Sequence, residues 1–315
     1  MYKNKSICVV VPAHNEETQI ERVIETMPEF VDRIVVVDDK STDKTVSVVE
    51  RLQGEREDIV LICHESNQGV GGAIISGYEW ARDHTMEVTA VMAGDGQMDP
   101  ADLPAILDPV VEVSVDYAKG NRLFYGDAWK MIPRYRYLGN SFLSLLTKVA
   151  SGYWHVADSQ CGYTAISLRA LQRLPLSDVY RDYGVPNDLL IRLNQYDFPV
   201  RDIHIRPVYN VGERSGIRLQ RVIPRISWLL FKGFWRRLIF KYVIKDFHPL
   251  VFFYFLSFFL LVISIPLTVR LFWLWYVRSD IPDINAMALV FTLISGLQTL
   301  FFAMWFDMEY NRNLR

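Results

Sequence analysis

Polar residues able to do chemistry recur where short apolar runs end. Ile7 to Val11 leads into Pro12-Ala13-His14-Asn15-Glu16-Glu17, and Arg33 to Val37 into Asp38-Asp39-Lys40-Ser41-Thr42-Asp43. In an open parallel sheet ligands bind beyond the carboxyl ends of the strands, so two such clusters converge on one crevice. Carboxylates there accept hydrogen bonds from ribose hydroxyls or a base N–H. Helix capping by Asn15, Ser41 or Thr42 is the competing reading, but it leaves the paired acids unexplained. A third run, Asp58 to Cys63, is followed by Asn67-Gln68-Gly69-Val70-Gly71-Gly72-Ala73 with Gly77 beyond. Its glycines permit close backbone approach and its N–H groups could face an anion; tight helix–sheet packing would require the same glycines. A nicotinamide enzyme is disfavoured, because that fingerprint belongs after the first strand, not the third.

A fourth run, Val88 to Met92, precedes Ala93-Gly94-Asp95-Gly96-Gln97-Met98-Asp99-Pro100. A carboxylate and an amide oxygen two residues apart can offer hard oxygen ligands to Mg²⁺ or Mn²⁺ held jointly with a diphosphate; a turn before a proline-started helix is the bland alternative. Asp158 and Asp188 lie further on, each readable as a general base or a cap.

The elements that must position these residues follow from periodicity. The first run is a buried strand and the other three are strand-like runs, and between the first two, Glu16 to Met27 places Ile20, Val23, Ile24 and Met27 on one helical face. Strand, helix, strand at this spacing means βαβ units and a mostly parallel α/β sheet. Beyond residue 120 the rhythm loosens, with a helical run from Leu138 to Ala150, as for a second half built onto the same sheet.

From Arg218 to Lys245 basic residues interleave with Trp228, Phe234 and Trp235 without forming one stripe. Two short helices broken near Gly233, lying on a membrane surface with their cations reaching headgroups, fit this pattern. Leu250 to Val269 and Ala286 to Phe306 are charge-free and long enough to cross a membrane, and they predict a two-helix hairpin. Flanking Lys and Arg place both termini in the cytoplasm, Trp273, Trp275, Tyr276 and Trp305 suit interfacial belts, and Ser264, Ser295 and Gly296 offer small residues for packing against another protomer.

Composition agrees with this division. The 315 residues carry 34 basic and 36 acidic side chains, a net charge of −2 that excludes an overall nucleic-acid binder. A mean hydropathy of +0.10 despite 22% charged residues reflects apolar residues concentrated at the C-terminus. Cys8, Cys63 and Cys161 have no metal or disulfide spacing and read as reduced thiols. Met1 to Lys5 lead directly into the first strand, too short a start for a secretory signal.

Together, Pro12-x-x-Asn15-Glu16, Asp38-Asp39-x-Ser41-Thr42-Asp43, Asn67-x-Gly69 with Ala73 and Gly77, Asp95-Gly96-Gln97-x-Asp99-Pro100 and Asp158-x-Gln160-x-Gly162 resemble family 2 inverting glycosyltransferases of the GT-A fold. The basic stretch and two-helix tail narrow the resemblance to the polyprenyl-phosphate, dolichyl-phosphate mannose synthase-like branch. The resemblance implies that Pro12, His14, Asn15, Glu16, Asp38, Asp39, Asn67, Gly69 and Asp95 line a nucleotide-sugar pocket, and that Asp95 and Gln97 hold a divalent metal with the donor diphosphate. The family's acid at position 93 is replaced by Ala93, and its usual tyrosine at position 14 by His14. Arg122 in Gly120-Asn121-Arg122, Arg136 with Asn140, and Arg214 in a loop before the interface helices resemble the acceptor-phosphate contacts.

The expectation is a GT-A domain over 1–217 (nucleotide-sugar half 1–120, acceptor half 121–217), interface helices over 218–248 and a hairpin with a short tail over 249–315. Its activity would be transfer of a hexose from a nucleoside diphosphate sugar to a polyprenyl phosphate at the cytoplasmic face, with Asp158 and Asp95 as catalytic residues. With a phosphate acceptor Asp158 mainly orients groups; with a hydroxyl acceptor, on diacylglycerol or a glycan, it is the base. A catalytically silent nucleotide-sugar-binding membrane scaffold is the alternative of a different class.

Overall fold

The computed structural model describes residues 1–123, 134–206, 219–278 and 282–315, without the side chains of 134–137, 219–221 and 278. Arg214, and the side chain of Arg136, therefore lie outside the described residues.

The chain forms two units: Met1–Phe234 with Asn313–Arg315, and Trp235–Arg312. The first is built on β1 (Ile7–Ala13), β2 (Arg33–Asp38), β3 (Ile59–Cys63), β4 (Val88–Val91), β5 (Tyr117–Asn121), β6 (Thr164–Ser167) and β7 (Val200–His204). These make one sheet in the order β3-β2-β1-β4-β6-β5-β7. Pairing is parallel except for β6, which runs antiparallel to both neighbours. The expected second half does extend the same sheet, with β6 inserted between β4 and β5.

Helices cover both faces, and the strands divide their side chains between two cores with a period of two. Ile7, Val9 and Val11 of β1 and Ile34 and Val36 of β2 pack with α1 (Ile20–Glu25), α2 (Thr45–Glu55) and α4 (Leu103–Val111). Cys8, Val10, Val35 and Val37 pack on the other side with α3 (Gly69–Asp83), α6 (Leu168–Arg173) and α7 (Val185–Gln195); α5 (Arg134–Ser151) precedes β6. Each fully buried valine or isoleucine contributes roughly 1.5–3 kcal/mol, so a one-residue slip of β1 would misplace its whole hydrophobic set.

The basic segment departs from expectation. It is one helix, α8 (Leu219–Ile239), running into a π-helical turn, Phe240–Lys245, with no break at Gly233. A Cβ at Gly233 would stand 2.4 Å from Ile191 Cδ1, so this glycine serves close packing on α7.

The second unit contains α9 (Leu250–Arg278) and α10 (Asp283–Tyr310), both long and apolar enough to cross a membrane. Phe252, Phe259, Val262, Ile265, Phe291, Ile294 and Phe301 are exposed, so these helices are not buried as core helices within the chain. Gly296 packs on Leu260 and Leu261, and Ser257 Oγ donates to Gly296 O at 2.9 Å. Gly296, expected to face another protomer, is thus used within the hairpin.

Nor do all the cations reach outward. Arg237 and Lys241, four residues apart, face Asp307 and Asn311, also four apart. Arg237 Nη1 and Nη2 donate to Asp307 at 2.8 and 2.9 Å, and Lys241 Nζ to Asn311 Oδ1 at 2.7 Å, all fully or nearly buried. Arg225, Lys232, Arg236 and Lys245 remain exposed beside Trp228, Phe231 and Ile244.

Candidate active site

At the carboxyl ends of β1 and β2 the two polar clusters do meet. Asn15 adopts φ +58°, a conformation that asparagine tolerates. Its N–H donates to Ser41 Oγ at 2.9 Å, and its Oδ1 accepts from Thr42 N at 2.8 Å. The residues preceding α1 and α2 are Gln19 and Lys44, so Asn15, Ser41 and Thr42 cap neither helix. Capping is excluded as their explanation; they lock the two strand ends together. The Glu16–Gln19 segment, expected as helix, is a turn in which Glu16 N donates to Thr45 Oγ1 and Glu17 N to Asp43 Oδ2.

Asp39 is the hub. Its buried carboxylate accepts Gln68 N at 2.7 Å and His64 Nδ1 at 2.8 Å on Oδ1, and Gly69 N at 2.8 Å on Oδ2. Its carbonyl accepts from His14 Nδ1 at 2.8 Å and Asn67 Nδ2 at 3.2 Å. The start of α3 does face an anion, but that anion is Asp39. Gly72 N donates to Arg181 O at 3.0 Å, and Cβ atoms at Gly69 or Gly71 would stand 2.6 Å from Arg181 backbone atoms. The glycine-rich turn is therefore a packing device, and its N–H groups at 68, 69 and 72 are committed within the protein. Asp38 accepts Ser41 N at 3.0 Å on Oδ2, while its buried Oδ1 has no hydrogen-bond partner among the described residues.

Beyond β4, Gly94 N donates to Pro12 O at 3.1 Å, drawing the Asp95 loop onto the end of β1. Asp95 Oδ1 accepts Gln97 N at 3.0 Å. Asp99 Oδ1 accepts Ala101 N at 2.9 Å and caps the 3₁₀ turn Pro100–Asp102, so that acid is a cap. Glu16 is half-buried and its carboxylate accepts no hydrogen bond from the described residues; burial, then the charges of Asp95 and Asp43, push it up to about 7. An acid raised by neighbouring acids marks a place suited to a cation. Asp95 and Gln97 supply one carboxylate and one amide oxygen, which fits Mg²⁺ or Mn²⁺ that takes its other ligands from phosphate and water.

Asp95, Gln97 and Asp99 line a small cavity together with Arg122, Gly162, Tyr163 and Arg206. Arg122 is fixed there by Asp158. Oδ2 accepts from Arg122 N and Nε at 3.1 and 2.8 Å, and Oδ1 from Arg122 Nη2 and Gln160 N at 3.2 and 3.3 Å. Four donors fill the roughly four lone-pair positions of a carboxylate, and Asp158 is completely buried. Burial alone would raise its pKa; the Arg122 guanidinium overrides that and holds it below the ordinary carboxylate range. Of the two roles expected for Asp158, these bonds accord with orienting a group, Arg122, rather than with a free base. Asp188 is likewise spent, on Arg192 Nε at 2.9 Å and Tyr180 N at 3.0 Å. Asn140 lies half-buried on α5.

The family Glycosyl transferase family 2 matches residues 8–174. A UDP-N-acetylglucosamine--dolichyl-phosphate N-acetylglucosaminyltransferase of Methanococcus voltae is 30% identical over 251 residues, 76% of this chain and 97% of that protein. The chain belongs to glycosyl transferase family 2. A polyprenol monophosphomannose synthase of Mycolicibacterium smegmatis is 28% identical, covering 70% of this chain and 84% of its own. Glucosyl-3-phosphoglycerate synthase of Mycobacterium tuberculosis, solved with Mn²⁺ and UDP, superposes with a TM-score of 0.53 at 20% identity over 74% of this chain and 80% of its own, a likeness of fold. The protein is accordingly a glycosyltransferase with a GT-A sheet.

This family 2 site also contains residues that motif reading passed over. Lys119 is fully buried beneath Arg122; its Nζ donates to Cys161 O, and burial pulls its pKa down. Asp202 accepts Asn121 Nδ2 at 2.8 Å and Ala157 N at 2.7 Å and is raised by burial to about 6. Lys119 precedes the Gly120-Asn121-Arg122 motif in a strand too polar to look buried, which hid it. Arg206, after β7, had no motif to mark it.

Proposed function

We propose that this family 2 enzyme transfers a hexose or N-acetylhexosamine unit from a nucleoside diphosphate sugar to a polyprenyl phosphate, with inversion, at the cytoplasmic face of a membrane. The observation that carries the reading is the shared cavity: the diphosphate side, Asp95 and Gln97, and a guanidinium held by Asp158 line one small space. Arg122 and Arg206 suit a phosphate, whose oxygens a guanidinium engages in pairs. A phosphate monoester has a second pKa of about 6, so it attacks without a strong base, in keeping with an Asp158 that has no lone pair to spare. The named relatives act on dolichyl phosphate or a polyprenol.

Asp95 and Gln97 would hold a divalent cation, which supplies neutralisation of the charge on the departing diphosphate. Asn15, Asp39 and Asn67 shape the nucleoside end. The exposed apolar surfaces of α9 and α10 and the cations beside Trp228 and Phe231 support anchoring through the hairpin with α8 at the headgroups. Val200 N donates to Leu314 O, tying the C-terminal tail to the sheet and supporting both termini on the catalytic side.

The test is mass spectrometry of products from the full chain in detergent. It is given undecaprenyl or dolichyl phosphate, a panel of UDP-, GDP- and dTDP-sugars, and Mg²⁺ or Mn²⁺ with a chelator control. A lipid phosphate gaining one sugar mass from one donor is expected. Transfer to diacylglycerol or a glycan hydroxyl, with none to lipid phosphate, would refute the reading.

A further inference from the structure

We propose that His64 is a positioning residue of the nucleotide crevice, acting through Asp39. It follows β3, and its backbone N–H continues the ladder by donating to Asp38 O at 2.9 Å. The side chain is buried. Nδ1 lies 2.8 Å from Asp39 Oδ1, an acceptor, so Nδ1 carries the proton. Nε2 lies 2.9 Å from Ser76 Oγ, in the middle of α3.

Serine, histidine and aspartate in this order have the connectivity that activates a nucleophilic serine, yet the surroundings argue against that chemistry. Backbone N–H groups around Ser76 belong to the helix ladder, leaving none for an oxyanion. The chain of bonds instead runs toward Asp39. With His64 Nδ1, Gln68 N and Gly69 N on its two oxygens, Asp39 has three donors among the described residues for about four lone-pair positions. One position is left for an N–H or O–H of a ligand. The Asp39 carbonyl in turn holds His14 and Asn67, the side chains at the crevice mouth. Among the described residues, His64 is the side chain bonded to the Asp39 carboxylate; it completes, from β3, the hold that the backbone N–H groups of Gln68 and Gly69 take on its two oxygens.

Loss of the His64 N–H should therefore weaken nucleotide binding in the ground state and transition state alike, raising KM without lowering kcat. Asp95, Gln97 and Arg122 stand at the ends of β4 and β5 and keep their own partners. This inference rests on the nucleotide-binding reading of the crevice given above.

The experiment uses the full-length protein in detergent, with calorimetric binding of UDP and GDP and steady-state kinetics on the preferred sugar donor. His64→Leu removes both bonds. His64→Asn offers an amide N–H at the Nδ1 position, and His64→Gln reaches toward Ser76 but not Asp39. A charge-assisted bond lost here corresponds to at least about a tenfold rise in Kd and donor KM for Leu and Gln, with kcat within about twofold. Asn should return both to within about threefold of the parent. If Leu does not fold, the Gln and Asn pair decides. Equal binding by Gln and Asn variants, an unchanged Kd, or a loss confined to kcat would overturn the assignment. A parent protein that binds neither nucleotide would overturn the crevice reading itself, and the proposal with it.

Discussion

Replacement of Asp158 by Asn separates two mechanisms that share a motif. The amide is nearly isosteric, but Asp158 receives four donors, two on each oxygen. Whichever way the amide turns, its NH₂ faces two N–H donors. Arg122 loses a charge-assisted pair, and buried Lys119 loses the negative charge beside it. Breaking a buried pair by removing one partner costs about 3–5 kcal/mol, which at this size lowers Tm by roughly 6–20 °C. For activity, a released Arg122 should raise acceptor KM by about 10–100-fold, the worth of one or two charged hydrogen bonds, while nucleoside diphosphate affinity stays within about twofold. Were Asp158 a proton acceptor, kcat would instead fall by about 10²–10⁴ with acceptor KM unchanged. Steady-state kinetics with a short-chain prenyl phosphate, beside differential scanning fluorimetry, distinguishes these. A loss confined to kcat would refute the positioning argument.

Glu16→Gln should stabilise the protein at neutral pH. Glu16 is raised to about 7 from an ordinary 4.5, so the folded state holds its proton longer and stability falls as pH rises between those values. Half exposure limits the gain to about 1 kcal/mol, visible as a Tm difference that vanishes below pH 4.5. Ala93→Asp restores a carboxylate beside Asp95 and should lower the Mn²⁺ concentration for half-saturation about tenfold, read by the electron paramagnetic resonance of free Mn²⁺; an unchanged value would separate position 93 from the cation. Asp307→Ala leaves Arg237 buried without its carboxylate and should cost about 3–5 kcal/mol, whereas Arg237→Met with Asp307→Leu should restore most of it. Thermal unfolding in detergent measures both, and equal loss in single and double variants would contradict the account.

Strands β1, β2 and β4 were legible because a buried parallel strand is a nearly uninterrupted apolar run, and the edge strand β3, only partly buried, because its run is β-branched. Strands β5 and β7 were not, since Lys119, Asn121 and Asp202 carry polar groups into the interior that only tertiary pairing satisfies. Likewise the glycines at 69 and 71 left an anion-facing turn and tight packing both open from sequence. Arg181, more than a hundred residues away, favours packing by occupying the space a side chain would need. Arg237 and Lys241 looked like headgroup cations because their partners, Asp307 and Asn311, lie 70 residues on.

The same distance effect governs the acceptor side of the site. Motif spacing presents Asp158 as an isolated acid near a glycine, where either base or cap is reasonable. Folding brings Arg122, 36 residues earlier, against both of its oxygens, and a carboxylate so engaged is placed to direct a cation. In the proposed reading the cavity offers an incoming acceptor two guanidiniums, Arg122 held by Asp158 and Arg206, in a lining shared with Asp95, Gln97 and Asp99. A neutral hydroxyl gains little from two guanidiniums and still needs a base. An already ionised phosphate gains from both and needs none, which is why the proposed acceptor is a lipid phosphate and why the Asp158→Asn kinetics weigh most on that proposal.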